Sequence, residues 1–207
     1  MQDVTVFLVD DDPSVQKALT RLIASKGYTI ECFSSANEFL NRNHFDGSAC
    51  LILDIQMPGL DGLQLQEELT LAGYSIPIIF ITAHGTIPMS VQAMKGGAVD
   101  FLTKPFTGKQ LLSAIDKAVQ KNVKQRTELS EVQEVKNRVS SLTEREYDVF
   151  RLVVQGLLNK QVADQLGISE KTVKFHRRRA MEKMHADSLA ELVLLAQKAG
   201  IAKETTH

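Results

Sequence analysis

Five short apolar segments alternate with amphipathic stretches through the first 121 residues, and this alternation constrains the fold more than any other feature. Val4–Val9, Tyr28–Phe33, Ala49–Asp54, Ile76–Thr82 and Val99–Leu102 are rich in β-branched residues and bounded by turn formers, as strands are. Helical stretches lie near 14–26, 35–42, 62–72 and 87–96, with another beginning at 109. Strand–helix alternation repeated five times predicts a parallel sheet covered on both faces. The expected fold class is therefore a doubly wound, five-stranded α/β domain.

The second half reads differently. Pro105 is the last proline, and no glycine occurs between Gly108 and Gly156. From Ser141 onward the pattern is all helix: Thr143–Gln155, Lys160–Leu166, Glu170–Met184 and Leu189–Ala199, with Gly156 and Gly167 at the breaks. At 207 residues the chain has room for two domains. The expected boundaries are 1–121 for the α/β domain, 122–140 for a polar linker and 141–207 for an all-α four-helix domain. Because 109–155 lacks both Gly and Pro, the linker is expected to be helical, about 48 Å long over 109–140 at about 1.5 Å per residue. Leu111, Ile115, Ala118, Leu129, Val132 and Val139 share one 4,3 register along it, interrupted by Asn122, Gln125 and Lys136.

Charge separates the halves further. Residues 1–121 hold nine Lys and Arg against thirteen Asp and Glu, whereas 169–184 hold six against two, which indicates two jobs. An apolar content of 43% with 24% charged residues excludes a wholly disordered or fibrous chain. No apolar run approaches the roughly 20 residues of a membrane span, and no basic stretch opens a signal peptide. Cys32 and Cys50 have no metal-like spacing and are expected to be reduced core residues. These features together predict a cytoplasmic protein without membrane attachment.

The chemistry gathers at strand ends. Asp10, Asp11 and Asp12 follow the first strand, Asp54 ends the third, Thr82 ends the fourth and Lys104 lies just beyond the fifth. In an open parallel sheet the carboxyl ends of strands converge on one crevice, so residues far apart in sequence meet there. Crowded carboxylates call for a divalent cation, and hard oxygen donors suit Mg²⁺ (or Mn²⁺). Thr82 offers a hydroxyl and Lys104 a charge to phosphate oxygens, leaving Asp54 as a nucleophile that forms an aspartyl-phosphate.

Val9-Asp10-Asp11-Asp12, Leu53-Asp54-Ile55-Gln56-Met57-Pro58-Gly59, Thr82-Ala83-His84-Gly85 and Lys104-Pro105-Phe106 resemble the receiver domain of two-component response regulators. The resemblance implies that Asp11, Asp54 and the Gln56 carbonyl ligate Mg²⁺ with Asp10 in support. It implies that Asp54 takes a phosphoryl group from a sensor histidine kinase, that Thr82 and Lys104 hold it, and that Lys104–Pro105 is cis. Phe101 occupies the position of a switching aromatic, with plain core packing as the alternative. His84 follows the motif and reads as a loop histidine, with no partner assigned to it. A haloacid-dehalogenase-type phosphatase needs a second acid two residues after the nucleophile, where this chain has Gln56.

Ser169 caps a basic helix that follows a helix and a glycine turn, the arrangement of a helix-turn-helix. Leu142-Thr143-Glu144-Arg145-Glu146, Gly156 to Ala163 and Ser169 to His176 are similar to the LuxR-type DNA-binding domain. By that resemblance Lys174, Phe175 and Arg178 match base-reading positions, and Lys160, Thr172, Arg177 and Lys183 match or neighbour phosphate contacts. Phe175 either meets a thymine methyl or packs away. Leu158 departs from the small polar residue or Pro usual at the start of the scaffold helix. A receiver followed by this domain resembles the NarL/FixJ family, on the FixJ side. The family implies a regulator, not an enzyme beyond its own phosphorylation and dephosphorylation. It would be phosphorylated by a histidine kinase, dimerise, bind promoter DNA and work with RNA polymerase. The alternative is a DNA binder that ignores phosphorylation and uses an inert receiver for dimerisation.

Overall fold

The computed structural model describes residues 4–43 and 45–201; the ends of the expected domains, at 1–3 and 202–207, lie outside the described residues. The chain divides into two compact units, with the division between Arg126 and Thr127.

In the first unit, β1 (Val4–Val9), β2 (Thr29–Phe33), β3 (Ser48–Asp54), β4 (Ile78–Thr82) and β5 (Asp100–Thr103) form one parallel sheet in the order β2-β1-β3-β4-β5. The strand period of two splits their side chains between the faces. Val6, Leu8, Ile52, Ile79 and Ile81 pack with α1 (Pro13–Ala24) and the start of α5 (Gly108–Ser140). Phe7, Val9, Leu51, Leu53 and Phe80 pack with α2 (Ala36–Leu40), α3 (Gly62–Leu71) and α4 (Ile87–Lys95). Both faces are covered, which is why the central strands read as nearly continuous apolar runs. Strand order reverses between β1 and β3, so their carboxyl ends flank the switch-point crevice.

Local chemistry fixes the helix starts. Asp12 caps α1, its side chain accepting from Ser14 N–H at 2.7 Å, with Pro13 in the first turn, where its missing N–H costs nothing. Asp61 and Gln64 exchange bonds at the start of α3. Gly62 is required there: a Cβ would lie 2.3 Å from the Asp54 carbonyl oxygen. Cys50 is buried and Cys32 half-buried, both as free thiols, and burial pushes the Cys50 thiol up to about 12.

The helix α5 is continuous over 33 residues, and its residues belong to both units. Leu111, Ile115 and Ala118 complete the first core. Asn122 is buried and accepts from Ala49 N–H at 3.1 Å, and Arg126 pairs with Asp46 at 2.8 Å. Val135 and Val139 join the core of the second unit. The 4,3 register thus serves two separate cores, and Leu129 between them is 62% exposed.

The second unit adds α6 (Glu144–Val154), α7 (Asn159–Leu166), α8 (Glu170–Met184) and α9 (Leu189–Lys198) around Val149, Phe150, Val153, Val162, Val173 and Met184. Thr143 and Glu146 form a capping box on α6. Gly167 closes α7 in the left-handed region at φ 65°, a conformation that favours glycine, and Ser169 accepts from Thr172 N–H to open α8. At α7 Leu158 offers no side-chain cap, and Gln161 reaches back to its N–H at 2.8 Å instead. No described helix is long and apolar enough to cross a membrane.

Candidate functional site

At the switch point, Asp10 directly follows β1 and is fully buried, Asp54 ends β3 nearly buried, and Asp11 is exposed. Their carboxylate oxygens come within 4.8 Å of one another. Lys104 Nζ lies 2.8 Å from both Asp10 Oδ2 and Asp54 Oδ2. One ammonium thus pairs with two of three clustered carboxyl groups. Burial pushes Asp10 above its ordinary range, against the opposing pull of Lys104 and the Asp12 N–H. Burial would lower Lys104, but its bonds and charge interactions with Asp10 and Asp54 outweigh that and hold it above the ordinary lysine value. The remaining negative charge and the all-oxygen donor set fit a hard divalent cation.

Backbone donors align the carboxylates. Asp12 N–H donates to Asp10 Oδ1 at 2.9 Å and Gln56 N–H to Asp54 Oδ1 at 3.2 Å. Gln16 Nε2 bonds the carbonyls of Asp10 and Phe33, a support that sequence reasoning missed because glutamine on an amphipathic helix carries no signal. Thr82 is fully buried at the end of β4, and its hydroxyl accepts from His84 N–H at 3.2 Å. His84 Nδ1 lies 3.0 Å from Gln56 Oε1. The Lys104–Pro105 bond is cis. Phe101 is half-buried, its ring 6.5 Å from that of Phe80 at the edge of the α2–α4 core. That position leaves it in contact with core on one side and open on the other.

The second unit presents α8 after the Gly167 turn. Lys174 and Arg178 are exposed, and Phe175 is 57% exposed, so it is not packed away. Arg179 lies over the Phe175 ring at 5.8 Å, and Arg178 pairs with Glu182 at 2.9 Å on the surface. Arg177 donates to Asn159 Oδ1 at 3.0 Å, which ties α8 to the start of α7, where Lys160 is exposed. Thr172 is half-buried beside its cap partner Ser169.

Lys183, matched to or beside a phosphate contact by resemblance, bonds Glu146 Oε2 at 2.6 Å and the Ser141 carbonyl at 3.0 Å. Glu146 is buried, and a buried carboxylate is costly without a cation, so it holds the lysine. The bond from Lys183, then that from Thr143 N–H, brings Glu146 down to about 2. A depressed folded-state value means stability fully present above the ordinary value of 4.5 and lost as pH falls through about 2. Glu146→Gln should therefore cost about 2 kcal/mol at neutral pH, and the gap to wild type should close on acidification. Thermal melts of both chains at pH 7 and pH 3 check this; a gap unchanged at pH 3 would contradict it.

Comparison with known proteins agrees with both halves. The response regulator receiver domain profile matches residues 6–116, and that of bacterial regulatory proteins of the luxR family matches 140–196. Nodulation protein W of Bradyrhizobium diazoefficiens is 47% identical over 98% of this chain and 89% of its own length. The solved response regulator StyR is 47% identical with a TM-score of 0.85, covering 95% of this chain and 99% of that one. Full-length FixJ from B. japonicum is 36% identical with a TM-score of 0.59, over 98% and 100%. A receiver with this acidic crevice and a luxR-type helix-turn-helix defines a response regulator transcription factor. The receiver implies a histidine kinase as partner, and the C-terminal domain implies DNA binding. The chain belongs to the NarL/FixJ family of response regulators.

Proposed function

We propose that the chain accepts a phosphoryl group on Asp54 from a sensor histidine kinase, dimerises in response and binds promoter DNA. The observation that carries this reading is Lys104 Nζ at 2.8 Å from both Asp10 and Asp54, which brings the ends of β1, β3 and β5 to one point. Asp10, Asp11, Asp54 and the Gln56 carbonyl would hold Mg²⁺ or Mn²⁺. The cation supplies charge neutralisation at the phosphoryl oxygens. Asp54 Oδ attacks phosphorus and the kinase histidine leaves, so the protein catalyses its own phosphorylation and, with water, its reversal. Lys104 pairs with the phosphoryl oxygens and the Thr82 hydroxyl donates to them.

Movement of Thr82 toward the phosphoryl group would open space for the Phe101 ring and repack the α4–β5 face. That face already exposes Ile87 (80%), Val91 and Met94, an apolar patch suited to a second copy. Paired recognition helices about one DNA turn apart need such a dimer. Phosphorylation should accordingly convert monomer to dimer at micromolar concentration, and Val91→Asp should prevent it; a phosphorylated wild type that sediments as monomer on and off DNA would contradict this. Lys174, Phe175 and Arg178 read bases, with Phe175 toward a thymine methyl, and Lys160, Thr172 and Arg177 approach phosphates. The regulator would act in the cytoplasm beside RNA polymerase.

Radiolabel transfer from acetyl phosphate with Mg²⁺ tests the reading directly. A stable label removed by EDTA treatment before mixing is expected. Rapid turnover would indicate a phosphatase, and no label an inert receiver.

A further inference from the structure

In the second unit the C-termini of α5 and α8 meet and exchange cations. Arg138, in the last turn of α5, donates from Nη1 to the carbonyl of Met184, the final residue of α8, at 3.3 Å. Lys183, in the last turn of α8, donates to the carbonyl of Ser141, the residue after α5, at 3.0 Å. The last carbonyls of a helix lack intrahelical partners, and they carry the negative end of its dipole. Two such ends brought together repel unless cations lie between them. Here each helix's C-terminal cation reaches across to a carbonyl at the end of the other.

Both cations are themselves held. Glu134 pairs with Arg138 one turn back along α5, and Glu146 Oε2 lies 2.6 Å from Lys183 Nζ. Val135 and Val139 on α5 pack into the same core as Val149, Val173 and Met184, so the contact is backed by burial. The chain leaves α8 at His185 in the left-handed region at φ 55°.

We propose that Arg138 and Lys183 are positioning residues for DNA recognition, a reciprocal C-terminal cap that sets the orientation of α8 from the last turn of α5. The proposal rests on α8 as the recognition helix. Arg138 and Lys183 touch no DNA; they fix the angle at which Lys174 and Arg178 meet base edges. Sequence-independent binding, which depends on charge near phosphates, does not need that angle.

The test uses the full chain. Fluorescence anisotropy would compare a duplex enriched by in-vitro selection on the wild-type chain with a random duplex of equal length, over a range of salt. Arg138→Met and Lys183→Met should each weaken binding to the selected duplex by about tenfold, since one charge-assisted bond is lost. Random-duplex affinity and the salt slope should stay as in wild type. Arg138→Lys and Lys183→Arg, which keep a cationic donor, should restore discrimination, and the double Met variant should be little worse than either single one. Should a Met variant fail to fold, Arg138→Gln, which keeps a neutral donor, is expected to show a smaller loss confined to the selected duplex. Equal losses on both duplexes with a salt slope lower by about one would make Lys183 a phosphate ligand and overturn the proposal. Wild-type discrimination in both Met variants, with discrimination lost in Lys174→Ala, would overturn the cap alone. Wild-type discrimination in Lys174→Ala would overturn the recognition-helix reading beneath it.

Discussion

Asp54→Asn is expected to take up no phosphoryl group from acetyl phosphate or from a kinase, while the fold persists. A carboxylate oxygen is the nucleophile in the proposed transfer, and an amide at the same place cannot replace it. Lys104 Nζ and Gln56 N–H donate to different oxygens of Asp54, so an Asn amide, with one acceptor oxygen, can keep only one of the two bonds. Loss of one negative charge beside Asp10 also relieves a repulsion that contributes to raising Asp10. That relief offsets the lost bond, so the variant should stay folded without added metal, bind Mg²⁺ more weakly, and show no phosphorylation-dependent dimer. Label incorporation at the wild-type rate would remove Asp54 from the site.

The second large effect lies on α8. Lys174→Ala and Arg178→Ala should each cost about 1–3 kcal/mol on a selected duplex and relax preference at particular base pairs. Arg178 has only an exposed partner, Glu182, to give up before reaching DNA, so little of its contribution is lost to breaking that pair. Lys160→Ala, at the start of α7, should instead weaken selected and random duplexes alike and lower the salt slope by about one. Titrations of the three variants on both duplexes at several salt concentrations check the division. Equal losses for all three on both duplexes would refute it.

The sequence by itself determined whatever depends on local pattern. Alternation of apolar segments and amphipathic stretches dictated the parallel sheet, because a strand buried on both faces must be apolar throughout and its crossover must be a helix. Ser169 marked the start of the basic helix, since a cap acts within three residues of itself. Asp10, Asp54, Thr82 and Lys104 could be assigned to one crevice because the winding of a parallel sheet sends strand ends to a common edge.

Only the tertiary structure decided which polar residues face inward. Asn122 looked like an interruption of a helical seam, yet it satisfies the Ala49 N–H across 73 residues. Lys183 belongs to a basic helix and matched a phosphate position, but a buried carboxylate 37 residues away claims it. Arg138 lies in the polar stretch expected to be a linker, yet its bond to Met184 spans 46 residues. A long cationic side chain can lie in solvent, along phosphate or across a carbonyl with the same local propensity. Its destination is set by which uncompensated charge or unsatisfied oxygen the fold brings within reach, and chain spacing alone does not carry that information.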